Sequence, residues 1–504
     1  MMPLSIRTCI ALAACLINGW TSQAGTSALW GTNGELWSAT SRLPDFSHAG
    51  YHQGEVPLPQ LPPGVNVRDY GAKGDGASDD TAAFLRAIAE APGVIEIPAG
   101  RYVITNILEI TRSGVVLRGA GPDRTTLYFP LPLQTIKPQW SATTDGKKTS
   151  NYSWAGGLIW FKGSLGRRIL AEVTAPAARG EQTLKVSQTN HLMVGQTVQL
   201  WQNDNADNSL ARELYSGDPG KIDNLYATTR TLMVARIVSI QGDTVTLDRP
   251  LRCRHQPLWH ARLCLYEPSL TESGVENLRL EFPNVPYDGH FKEQGYNGVA
   301  FTGVADCWAR NLMITNCDSG VFPDGVFCTL EQIQFDSGRG VDATLNCNGH
   351  HGLDCAGHDN LFTDFVFHQR FVHDLSMEHC ASGNVIAHGS GDDLCFDHHV
   401  CSPFENLYTD IDAGAGTRLW RCGGGAGLGK HSGTRETFWN IRAAQSQSWP
   451  PADFGPVTLN FVGVASTLPT VTEPNGRWWE TLPAGTLTPA NLYTAQLDRR
   501  LKGK

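Results

Sequence analysis

Charge is scarce in this chain: only 18% of its 504 residues are Asp, Glu, Lys or Arg, and the formal balance is −9. Such a balance leaves no overall basic footprint for nucleic acid and mildly disfavours a strongly polyanionic ligand. Beyond the first 24 residues no stretch approaches the roughly 18 consecutive apolar residues that a spanning helix needs, so no transmembrane segment is expected. No CxxC pair occurs, which argues against a zinc ribbon. The run "CGGGAGLGK" at 422–430 lacks the GxxxxGK[ST] spacing of a phosphate loop. Long helices are not expected either, because 53 glycines break the chain into short elements.

What is present begins with a leader. "MMPLSIRTCIALAACLINGWTSQA" carries Arg7, an apolar run from Thr8 to Ile17, and small residues Ser22 and Ala24 at cleavage spacing. That pattern predicts a secretory signal over 1–24 and a secreted or periplasmic protein. Leu12-Ala13-Ala14-Cys15 also resembles a lipobox, and a lipid anchor on Cys15 is the alternative. The other 11 of 13 cysteines lie between Cys253 and Cys422, an odd number that leaves at least one unpaired. Export permits disulfides, so a mixture of core thiols and one or more bridges is expected.

In residues 65–130, Asp79 or Asp80 can cap a helix from Thr81 to Glu90. "VIEIPAGRYVI", "LEI" and "VVLRGAG" then read as short strands broken by Gly and Pro. Physically this is a helix covering the first coils of a stack of strands. "DYGAKGDGASDDTAAF", "IPAGRYVI" and "LRGAG" together resemble the opening of the pectate-lyase-like superfamily of right-handed parallel β-helices. The branch they are most similar to includes rhamnogalacturonases, exo-glucanases and uronan epimerases. The resemblance implies the fold and leaves the reaction open.

Alternating strands with Gly turns interrupt the pattern over 171–255 and predict a small inserted antiparallel barrel, whose long polar loop at 203–231 would overhang a cleft. The full expectation is all-β: a leader at 1–24, an extension at 25–64, β-helix at 65–170, the insertion at 171–255, main coils at 256–445, and a C-terminal extension and cap at 446–504. Asn491 is the N-cap of a closing helix that would blunt the last open coil.

From Gly274 onward an internal period appears. "NLRLEF" starts at Asn277, "NLMITN" at Asn311, "NLFTDF" at Asn360, "NVIAHG" at Asn384 and "NLYTDI" at Asn406. Aligned on these asparagines, Leu278, Leu312, Leu361, Val385 and Leu407 should face inward, because strand side chains alternate. The next strand of each coil would turn Leu375, Met377, Leu394, Phe396 and Leu419 inward, and Glu378 and Asp374, then Asp393, Asp397 and His399, then Arg418 and Trp420 toward solvent.

Ten of the 16 histidines fall between His350 and His431. Alternation sends neighbours His398 and His399 to opposite sides, so no transition-metal site is expected. Calcium on Asp393, Asp397 and Glu378 is the alternative, since hard cations take clustered carboxylates. Glycosidic hydrolysis needs one carboxylic acid and one carboxylate. Adjacent coils place such a pair about 5 Å apart and alternate coils about 9.5 Å, spanning the retaining and inverting separations. Asp393, Asp397 and Glu378 are therefore the candidate catalytic acids, with His399 tuning protonation, Arg418 binding a sugar hydroxyl or carboxylate, and Trp420 stacking a ring. His350 and His351, read as a loop, are candidate substrate contacts.

Lysis or epimerisation of a uronate needs cations and a base instead. Lys292, Tyr296, Arg418, Arg421, Lys430 and His431 are the candidates. The reading is a polysaccharide-cleaving enzyme, first a glycoside hydrolase, then a lyase or epimerase, with a non-catalytic glycan-binding protein as the third class. The expected partner is a polysaccharide substrate, with no resident cofactor and no nucleic acid.

Overall fold

The computed structural model describes residues 25–225, 229–483 and 485–503; the leader and Cys15 lie outside them. The chain is all-β, and most strands pair in parallel with the strand one coil later. One wall is a seven-stranded sheet running from Leu108–Ile110 through Ile159–Lys162, Asn297–Ala305, Ser319–Val326, Gly349–Cys355 and Phe371–Met377 to Phe396–His398. Its registers advance one coil at a time, with His351 beside His373 and Leu375 beside Phe396. A second, longer wall stacks Leu407 on Thr437, Thr437 on Asn460 and Asn460 on Trp478. This is β-helical stacking, and it encloses one continuous apolar core. Within that core Phe438, Phe461 and Trp479 stack at 5.2 and 4.8 Å, one ring per coil. Each ring contributes about 1.5–3 kcal/mol by leaving water.

Thr81–Glu90 is a helix whose Ala83, Phe84, Ala87 and Ile88 enter the core. Asp79 accepts from the Thr81 amide at its N-terminus, while Asp80 accepts from Lys73 and Gly74. Strands between Ile169 and Leu265 form a six-stranded antiparallel sheet with its own core around Val198, Leu200, Ala235 and Leu263. Its two outermost strands are joined by a single bridge between Val173 and Val186.

The asparagine alignment merges two different ladders. Asn277 and Asn311 have positive φ in mid-strand, and the residues stacked in line with them are Gln332, Asp364, His388, Asp410 and Asn440, also at positive φ. Asn360, Asn384 and Asn406 form a separate buried ladder four residues earlier: Asn384 and Asn406 accept from the backbone N–H of Asn360 and Asn384, and Asn360 accepts from Cys328 N. Inward positions in the later coils are consequently Phe362, Ile386 and Tyr408. Leu361, Val385 and Leu407 face outward, where Trp30, Leu43, Phe46 and the helix Leu492–Lys502 cover them. Asn491 does cap that helix, accepting from Thr494 N, but the helix lies against the side of the stack rather than over its end.

All 11 described cysteines are free thiols and ten are buried, so the expected bridges are not found among the described residues. Cys307, Cys317, Cys328 and Cys355 serve as small core fillers, the usual role of an unpaired buried thiol.

Candidate active site

Two neighbouring strands of the seven-stranded wall, Gly349–Cys355 and Phe371–Met377, floor a cavity of about 560 Å³, and His399, Val400 and Cys401, just after the next strand Phe396–His398, continue it. Residues 142–145 and 154, the segment 290–291 and the glycine-rich run 423–428 complete its rim. That run is held from behind by the insertion. Tyr215 Oη donates to Lys430 O, and Leu225 packs with Val400, Cys401 and Leu428.

His350 and His351 lie on a strand rather than a loop, and both line the cavity. His351 and His373 share the alternation side of the core residues Leu353 and Leu375, yet they face the cavity. Alternation breaks at Gly352, where a Cβ would stand 2.2 Å from the core ring of Phe367, so positions 352 and 353 both point inward. His290, on the segment between Glu281 and Asn297, closes over the same wall, with its ring 4.5 Å from that of His350 and 5.8 Å from that of His373. His399 completes the group, 4.9 Å from His373 and 5.8 Å from His351.

Beneath these rings lies Asp397, fully buried. Ser376 Oγ donates to it at 2.9 Å, Gly423 N at 2.6 Å, and His399 Nδ1 lies 2.9 Å away. Burial opposes its charge, but the flanking His373 and His399 outweigh burial and hold the carboxyl well below its usual range. For His399 burial again opposes charge, and Asp397 overcomes it and raises the imidazole. Burial lowers His351 and His373 instead. Gly423 is required here, since a Cβ would stand 2.5 Å from Cε1 of both His373 and His399.

Two carboxyls line the cavity with opposite tendencies. Asp354 is buried with neither oxygen hydrogen-bonded, and burial, then Glu378, pushes it well above its ordinary value. Glu378 is also opposed by burial, but His379, 3.0 Å away, prevails and lowers it. Trp154 and Phe291 supply aromatic faces at the rim.

The sequence-predicted residues divide accordingly. Glu378, His399, His350 and His351 come together in the cavity, with Asp397 under its floor. Asp393 does not join them: it accepts from Thr417 N and Oγ1 at 2.8 and 2.6 Å and pairs with Arg370 at 3.1 Å. Arg418 is structural, buried against Asp374 at 2.5 Å and the Phe371 carbonyl at 2.7 Å. Trp420 packs on Phe438, Phe454 and Phe461 at the core, which removes it from sugar stacking.

Lys292 and Tyr296 border a separate small cleft with Asp318 and Arg339. Arg421 and His431 do not line the cavity, and Lys430 pairs with Asp218. The calcium trio does not converge, because Asp393 and Asp397 are each committed to other donors. His290, His373, His379, Asp354, Trp154 and Phe291 were not anticipated. Tandem histidines near an unusually long inter-coil segment were the one signal pointing to them.

Residues 64–152 match the family described as rhamnogalacturonase A/epimerase, pectate lyase-like. The chain carries a pectate-lyase-like segment. Curated relatives of the chain include a pre-neck appendage protein of Bacillus phage B103, 42% identical over 66 residues. Others are mannuronan C5-epimerase AlgE3 of Azotobacter vinelandii, 42% over 72 residues, and a glucan 1,3-beta-glucosidase of Cochliobolus carbonum, 43% over 108 residues. These matches cover 13%, 12% and 19% of this chain but only 7%, 4% and 13% of those proteins. Among solved structures, the tailspike protein gp49 of Pseudomonas phage LKA1 aligns over 81% of this chain and 68% of its own, at 13% identity and a TM-score of 0.46. The A-module of Azotobacter vinelandii mannuronan C-5 epimerase AlgE6 aligns over 79% and 75%, at 12% identity and 0.33.

Proposed function

We propose that the chain is a polysaccharide-acting enzyme, a glycoside hydrolase whose acid and base are Asp354 and Glu378. The observation that carries this reading is their shared cavity and opposed environments. One carboxyl is kept protonated by burial and the other is kept ionised by an adjacent imidazole. Pairs whose surroundings push their protonation apart are the acid/base arrangement glycoside hydrolysis requires. Trp154 and Phe291 at the rim offer faces on which a sugar ring can stack. The partial likenesses to a glucan glucosidase and to a family described by rhamnogalacturonase A agree with glycan chemistry.

Uronate epimerisation or lysis is the second reading, and the histidine group favours it. His399, charged beside Asp397, stands next to the neutral His351 and His373, so a proton donor and acceptors face one space. Against it, among the described residues no Lys or Arg lines the cavity to neutralise a uronate carboxylate. The protein is proposed to work outside the cytoplasm, on the strength of residues 1–24; N-terminal sequencing of the exported protein checks this.

The deciding experiment incubates purified protein with a panel of neutral and acidic glycans. Release of reducing ends without ultraviolet absorbance from unsaturated uronates supports hydrolysis. Rising absorbance overturns it in favour of lysis, and a change in uronate stereochemistry without cleavage overturns it in favour of epimerisation. Binding without any product leaves only a glycan-binding protein.

A further inference from the structure

The histidines of the cavity wall hold more than proton-transfer groups. One nitrogen from each of His290, His350 and His373 lies within 4.8 Å of the others. We propose that these three residues form a binding site for a late first-row divalent cation of the zinc class.

Two further observations support the site. First, Nε2 of all three rings is buried and without a hydrogen-bond partner among the described residues. Leaving a buried polar nitrogen unsatisfied costs about 1–3 kcal/mol, and three aimed into one space are accounted for together by one ion.

Second, a carboxylate stands behind two of the rings. His350 Nδ1 is 3.4 Å from Glu293 Oε1, and His373 Nδ1 is 3.3 Å from Asp397 Oδ2. Ligating histidines characteristically present the other nitrogen to such a carboxylate, which fixes the ring and makes it more basic. Both carboxylates are themselves anchored, Glu293 by Tyr287 Oη at 2.5 Å and Asp397 by Ser376 and Gly423.

The ligand type selects the ion. Three imidazole nitrogens suit zinc, nickel, cobalt or copper, whereas calcium and magnesium take oxygen. Zinc–nitrogen bonds of about 2.0–2.1 Å in tetrahedral geometry place ligand nitrogens about 3.3–3.4 Å apart, so from separations of at most 4.8 Å ring shifts of up to about 0.8 Å each close the site. All three rings border the cavity, which leaves a coordination position open toward it. A second grouping, His373 with Asp397 and His399, shares His373. It is less suited, because Asp397 is already occupied by three donors.

His290 and Glu293 both belong to the segment between Glu281 and Asn297, which gives that lengthened inter-coil stretch a purpose. The inference uses the cavity described above but does not depend on which reaction occurs in it.

The test uses the full chain, untagged, stripped with chelator and dialysed. Calorimetric titration with zinc alone should show one saturable equivalent. His290→Ala and His350→Gln should each weaken binding at least ~10-fold. Cobalt in place of zinc should give visible absorption bands that His290→Ala diminishes, and calcium should not compete. Circular dichroism verifies folding, and His290→Ala, a half-buried residue outside the strands, carries the test if His350→Gln misfolds. No saturable zinc binding, binding undiminished in the folded variants, or equal competition by calcium overturns the site. None of these readouts involves glycan turnover, so the site can fail while the proposed function stands, and the reverse.

Discussion

Replacing Arg418 with methionine separates a buried structural ion pair from a substrate-binding arginine. The guanidinium donates to Asp374 Oδ2 at 2.5 Å, to the Phe371 carbonyl at 2.7 Å and to the Asp393 carbonyl at 2.8 Å, and its side chain is only 6% exposed. Removing one partner of a buried pair costs about 3–5 kcal/mol, because the other charge stays behind. Asp374 would keep two amide donors, Phe371 N at 3.0 Å and Cys395 N at 2.8 Å. Asp393 would keep Arg370 and Thr417. The lower end, ~3 kcal/mol, is therefore the expected loss for Arg418→Met. Adding Asp374→Asn removes the stranded charge and should return more than ~1 kcal/mol, a coupling of the size contacting residues show. Denaturant unfolding followed by tryptophan fluorescence reads both values from the midpoint and slope. Glycan turnover by the folded fraction should stay within a few-fold of the parent. The reasoning fails if Arg418→Met unfolds within ~1 kcal/mol of the parent while turnover falls by orders of magnitude. That result would put Arg418 on the substrate.

Glu378→Gln and Asp354→Asn should each lower kcat by ~10²–10⁴ with the melting temperature held or raised, the range for losing a positioned acid or base; full activity in either folded variant removes it from the pair. Gly423→Ala places a methyl 2.5 Å from two imidazoles and should cut kcat by ~10²-fold through displacement of His373 and His399, with little loss of stability; steady-state kinetics beside thermal melting checks both halves. Asp324, pushed by burial up to about 7 from 3.8, binds a proton in the folded state that the unfolded chain has lost. Its stabilising contribution is complete below the unfolded value and declines as pH rises through the window up to about 7, by at most ~1.4 kcal/mol per unit. Asp324→Asn should flatten that slope in unfolding measured across the window, and an unchanged slope would contradict the assignment.

Local chemistry made part of this legible in the sequence. The helix Thr81–Glu90 follows from an aspartate pair ahead of an apolar-periodic run, and the helix after Asn491 from its cap. Alternation placed Leu375, Met377, Leu394 and Phe396 inward correctly and split His398 from His399. His398 is buried against Tyr408, Phe438 and Phe454, while His399 reaches the cavity. What alternation could not supply was backbone bends and partners from other segments. Two asparagine ladders offset by four residues look identical as letters, since both precede apolar residues; only the positive φ at Asn277 and Asn311 tells them apart. The positive-φ residue between the two positions breaks the alternation, so Leu361, Val385 and Leu407 lie on the opposite side of the wall from Leu278 and Leu312.

The acidic column failed for a different reason. An outward carboxylate on a stacked wall is not thereby in solvent. Asp374 and Asp393 lie on the predicted side, yet Arg418 and Arg370 arrive from neighbouring coils and neutralise them. The cavity forms where no arginine arrives. Along the strands Gly349–Cys355 and Phe371–Met377 the positions that elsewhere carry ion pairs hold His351, Asp354, His373 and Glu378, and the groups that answer them are imidazoles. Substituting imidazoles for guanidinium leaves buried carboxyls free to differ in protonation and ring nitrogens without partners. Those two properties underlie the acid/base pair and the cation site, and neither is visible until the coils are stacked and His290 is folded over them.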